Sequence, residues 1–119
     1  MRESAVRDKS FAFALRVVKL YQFLVEQKKE FVLSKQLLRS GTAIGALVRE
    51  AEQAESKPDF IHKMAIALKE ANETAYWLEL LHQSGYIDEK GFESIHPDSI
   101  ELLKLLTSII KSSKAANNG

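Results

Sequence analysis

At 119 residues the chain is sized for a single domain that buries a core without staples. It has no cysteine, which excludes a disulfide framework and thiolate metal ligation, and five glycines and two prolines are too few for a sandwich or barrel. The net charge is only +1, yet residues 1–49 hold 10 Lys and Arg against four Asp and Glu, while residues 50–119 hold seven against 12. That split predicts helix faces that pair within the fold, with a basic partner-binding face as the other reading. No run reaches about 18 apolar residues, so no membrane span is expected. The opening MRESAVRDKS lacks the apolar centre of a signal peptide, and a cytoplasmic protein is the expectation.

The first helix is expected over residues 4–28. Its apolar residues form two rows: Phe11, Leu15, Val18 and Val25, and then Phe13, Val17, Leu20 and Leu24. Its polar residues occupy an arc of roughly 140°, leaving more apolar surface than one neighbouring helix covers. Lys28, Lys29 and Glu30 read as a charged connector, and residues 31–33 should dock on the end of the domain. Ser34 is the candidate N-cap of a second helix running to residue 55. Its seam is Leu37, Gly41, Ile44, Val48 and Ala51. Each helical glycine costs about 1 kcal/mol relative to alanine, so Gly41 and Gly45 point to close approach of another helix.

Ser56 and Asp59 form a capping-box-like start to the third helix, which runs to Ser84 with Gly85 as its stop. Its stripe is Phe60, Met64, Ala67, Leu68, Ala71, Ala75 and Leu78, and Tyr76, Trp77, Leu80 and Leu81 add a second face. A connector over residues 86–95, with room for a helical turn after Asp88, leads to a fourth helix from Pro97 to Lys114. The domain is therefore read as residues 1–114, with a disordered tail over 115–119. The expected architecture is all-α, an up-down-up-down four-helix bundle. Three of its helices carry more apolar surface than an isolated bundle hides, so it should be oligomeric.

Catalytic chemistry finds no footing. Glu79 with His82 and Glu93 with His96 have the spacing of di-iron ligands, but no layer of four facing carboxylates completes them. A metal-binding bundle is the minor alternative; no metal, cofactor or catalytic residue is expected. Arg39, beside the Gly41 seam, can reach Glu70 and Glu73 of the third helix, a link that sets register more than it stabilises. Arg7, Lys9, Arg16 and Lys19 on the first helix are the candidate nucleic-acid contacts, acting through phosphates.

Residues 33–81 resemble a bacterial family of small helical-bundle proteins, first named for reading frames within intervening sequences of 23S ribosomal RNA genes. The matching residues are Gln36, Arg39, Ser40 and Gly41, then Asp59 and Phe60, then Glu73, Thr74, Trp77 and Leu78. The resemblance implies a four-helix bundle assembled as a homopentamer. With the packing and register arguments above, it leaves Arg39, Ser40, Gly41, Gly45, Glu70, Glu73 and Trp77 as the expected interhelix or interface positions. It also extends to the accessory protein of diversity-generating retroelements, a basic pentamer that engages nucleic acid and a reverse transcriptase. The leading expectation is a non-enzymatic oligomeric adaptor or nucleic-acid accessory protein. Its partners would be itself, with RNA, DNA or another protein open beyond that. The alternative is a structural or protein-interaction module with no nucleic-acid role.

Overall fold

A computed structural model describes residues 2–118 of the chain, with side chains over residues 5–116. It holds four helices: α1 (Arg2–Glu26), α2 (Leu33–Glu52), α3 (Lys57–Gln83) and α4 (Glu89–Asn118). No strand occurs among the described residues. Each helix packs on the next, and α4 returns to α1 along the thinnest of the four contacts. The resulting bundle measures 51 × 22 × 20 Å.

The inner row of α1 supplies Phe13, Val17 and Leu24 to the core. It meets Leu37, Ile44 and Val48 of α2, all buried as the seam pattern requires. Ala67, Ala71 and Ala75 give α3 a narrow buried flank, and Leu102, Leu106 and Ile109 close the core from α4. Gly41 lies directly against Val17: a β-carbon there would sit 2.8 Å from both Val17 methyls. Gly45 is less constrained, its nearest neighbour being the Ser10 carbonyl oxygen at 3.4 Å.

The helix ends follow local chemistry, with corrections to the sequence reading. Ser34 is not the cap of α2. The residue before the helix is Val32, whose side chain cannot cap. The Glu30 carboxylate does the work instead, accepting N–H groups from Val32 at 3.2 Å, Leu33 at 3.1 Å and Ser34 at 2.7 Å. The buried Ser34 hydroxyl donates back to the Glu30 carbonyl at 2.7 Å. Burial alone would raise the Glu30 pKa, but the backbone N–H groups outweigh it and hold it below the ordinary value of 4.5. Of the three residues expected to dock, Leu33 packs against the core, while Phe31 is 51% and Val32 69% exposed. With Glu30 drawn inward and Lys29 in a left-handed turn (φ 55°), those two side chains are left at the surface.

Ser56 caps α3, accepting from the Asp59 N–H at 3.1 Å. Asp59 answers at the Glu55 N–H rather than at Ser56. At the other end Gly85 adopts φ +90°. The Tyr86 N–H reaches the Leu81 carbonyl at 2.9 Å and the Gly85 N–H reaches that of His82 at 3.1 Å, a Schellman arrangement. α4 begins at Glu89, ahead of the expected Pro97, because Asp88 caps it through the Gly91 N–H at 2.7 Å. Pro97 therefore lies inside the helix. α4 also runs past Lys114 to Asn118, since Ala115 and Ala116 favour helix and no breaker intervenes. Gly119, the end of the expected tail, lies outside the described residues.

Two substitutions test these features by denaturant unfolding at fixed protein concentration. Gly41→Ala should lower stability by about 1 kcal/mol, because overpacking against Val17 exceeds the gain in helix propensity. The added cost should vanish in a Val17→Ala background, and Gly45→Ala should be neutral or mildly stabilising. Glu30→Ala should cost about 1–2 kcal/mol at pH 7. A carboxylate with a depressed folded pKa stabilises above its unfolded pKa and loses that contribution as pH falls through the folded one. The gap between wild type and Glu30→Ala should therefore close as pH drops below 4.5.

Candidate functional site

Three of the four candidate nucleic-acid cations are engaged within the bundle. Arg7 lies 3.8 Å from Glu52 and 3.5 Å from Asp8. Lys9 reaches Glu101 of α4 at 3.2 Å. Arg16 donates to Asp98 Oδ2 at 2.6 Å, to the Ser94 carbonyl at 2.9 Å and to the Ser94 hydroxyl at 2.6 Å. Lys19 has no ion-pair partner among the described residues. These pairs are exposed and individually worth at most about 1 kcal/mol. They nevertheless account for much of the charge split: cations of the first half face acids of the second.

A second polar group joins α2 to α3. Arg39 Nη1 approaches Glu70 Oε1 at 3.3 Å, and Arg39 Nη2 pairs with Glu73. Glu73 also accepts the Trp77 indole N–H at 3.1 Å. Partial burial works against the Arg39 charge, but the Glu73 and Glu70 carboxylates prevail and raise its pKa above the ordinary value. One turn inward, the Thr74 hydroxyl lies 2.9 Å from that of Ser40, both fully buried. The structure thus brings Arg39, Ser40, Glu70, Glu73 and Trp77 together at one level. Gly41 and Gly45 face α1 instead.

The remaining feature is apolar. Phe11, Leu15 and Phe23 lie on the outward side of α1 and are 50%, 52% and 41% exposed. With Lys19 they recur at intervals of four residues, which places them in one stripe along the helix. Cations stand over both end rings: Arg49 lies 5.1 Å from the centre of Phe11, and Lys28 lies 5.8 Å from that of Phe23. Tyr76 on α3 is also exposed. The sequence reading placed Phe11 and Leu15 in an apolar row but not Phe23, and it did not see the cations, of which Arg49 comes from another helix.

His82 and His96 were read as chance spacings, and sequence reasoning missed what they do. Phe92 stacks between them, with ring centres 4.2 Å and 4.5 Å away. His82 Nε2 lies 3.0 Å from Glu89 and His96 Nε2 lies 3.7 Å from Glu79. No group of three or more His, Asp or Glu among the described residues is placed to hold a metal ion.

The model of the 23S rRNA-intervening sequence protein family matches residues 2–108. The chain belongs to that family. A crystal structure of a protein with unknown function, from the S23 ribosomal protein family of Bacteroides thetaiotaomicron VPI-5482, is 63% identical. It superposes with a TM-score of 0.92, over 93% of this chain and 99% of that one. Among curated proteins none matches the sequence. The family is one of unknown function, and no helix of the described residues is long and apolar enough to cross a membrane.

Trp77 is the lone tryptophan, so it reports on the α2–α3 network by fluorescence. Glu73→Ala should shift its emission and cost about 1 kcal/mol, since both the indole N–H and Arg39 lose their acceptor. Glu70→Ala should leave the emission unchanged.

Proposed function

We propose that the protein is a non-enzymatic, self-assembling adaptor whose outward α1 face seats a second copy of the chain. The carrying observation is the stripe of Phe11, Leu15, Lys19 and Phe23 at four-residue spacing, whose three apolar members are half-exposed. Covering the half that remains exposed contributes on the order of 1 kcal/mol per side chain, so a contact repeated along the helix and between copies favours association. The order of the contacts favours an up-down-up-down bundle: Val17 meets Gly41 while Ser10 meets Gly45, and Arg39 meets Glu70 while Lys63 meets Glu50. The resemblance described above makes a homopentamer the specific expectation, and the cysteine-free sequence fits a cytoplasmic setting.

Nucleic-acid association is the second reading, supported by Lys19, Lys29 and Lys35, which have no ion-pair partner among the described residues. A ring of copies would multiply that charge, whereas Arg7, Lys9 and Arg16 are already engaged. The name of the S23 relative carries no ribosomal role over to this chain.

Light scattering on the intact chain should give a multiple of its 13.4 kDa mass, with five copies expected. Leu15→Glu should shift the protein towards a folded monomer. A wild-type mass of one chain would overturn the proposal. In the same preparation, RNA and DNA binding that weakens steeply with salt would support the second reading, and a flat low-salt result would remove it.

A further inference from the structure

Pro97 divides α4 into two parts that are held very differently. Proline offers no N–H, and its ring presses on the carbonyl one turn back, here that of Glu93. Beyond it, Ser99, Leu102, Leu106, Ile109 and Ile110 are buried. Before it, over residues 89–96, only Ile95 is buried. The early segment is therefore tied to the bundle by little core.

Two fasteners replace that core. On the α1 side, the guanidinium of Arg16 bridges the proline, with the carbonyl and hydroxyl of Ser94 before it and the carboxylate of Asp98 after it. A rigid planar fork suits such a span. On the α3 side, Phe92 is clasped between His82 and His96. His96 Nε2 lies 3.7 Å from Glu79 without a hydrogen bond, so the stacking is backed by one exposed polar link, His82 Nε2 to Glu89 at 3.0 Å. Between the α1 edge and this segment runs a groove of about 390 Å³, bordered by Lys19, Leu20, Gly91 and Ile95. Packing along that edge is incomplete, so separation forfeits little burial.

We infer that residues 89–96 form a strap, hinged at Pro97 and clasped by Arg16, that opens as a unit while the rest of α4 stays in the core. Segments with few buried contacts open at lower free energy than the core does. Both parts of α4 belong to one protomer, so the inference is independent of self-association.

Native-state hydrogen exchange on the full chain tests it. Amides of residues 92–96 should exchange at least about tenfold faster than those of 102–110. Arg16→Gln should accelerate 92–96 by roughly another tenfold, the worth of a partly screened charge-assisted hydrogen bond, with no matching change in 102–110. Lys9→Gln, which breaks the other α1–α4 pair, should leave the strap unchanged. Pro97→Ala should bring the two rates together by restoring the missing N–H. If Arg16→Gln fails to fold, Asp98→Asn should give a smaller acceleration confined to the strap. Equal rates across α4 in the wild type would overturn the inference, as would an arginine variant that speeds both parts alike.

Discussion

The contact of Gly41 with Val17 sets the spacing of the bundle. A hydrogen in place of a methyl lets α2 lie close along α1, and the β-branched Val17 fills the space without freedom to move aside. Everything else is arranged around that distance. Leu37, Ile44 and Val48 are carried inward on the same face, and α2 presents its opposite edge to α3. The alanines of α3 then repeat the device on the next seam, with small side chains allowing a close neighbour.

Register is fixed by polar groups at the same level. Ser40, next to Gly41, meets Thr74 in the interior, while Arg39 gathers Glu70 and Glu73 at the surface. A slip of one turn would break the Ser40–Thr74 hydrogen bond, leaving each hydroxyl only a carbonyl of its own helix, and would part a guanidinium from its carboxylates. Buried polar groups are costly unless paired, so this cluster selects one alignment more than it adds stability. The residues that most resembled the family pattern are thus the ones that specify how α2 and α3 meet.

Much of this was legible in the chain because the signals are local. The α2 seam, the Ser56 cap and the Gly85 stop each follow from residues within a turn of one another. What escaped the reading depends on distance or on loop geometry. The capping by Glu30 acts across a short non-helical link that no periodicity describes. Pro97 resembled a helix start, because proline suits a first turn; the clasp that spans it comes from Arg16, which lies 78 residues from Ser94. The cations of α1 could be counted, but a count does not reveal which acids stand opposite. Phe31 and Val32 were expected to dock as apolar residues usually do, yet the inward turn of Glu30 leaves them outside. The outward stripe of α1 was readable as surplus, while its cationic edges were not.

The pairing of α1 with α4 has a consequence for the order in which the molecule comes together. Lys9 and Glu101 are 92 positions apart, and Arg16 and Asp98 are 82 apart. The α2–α3 contacts of Arg39 span only 31 and 34 positions. Loop closure favours the nearer partners, and contacts between distant residues wait for the chain to be shortened by earlier ones. During synthesis, the basic half also emerges before the acids that will neutralise it. Until α4 arrives, Lys9 and Arg16 therefore lack the acids that pair with them, and its docking supplies Glu101 and Asp98 as it closes the ring of helices.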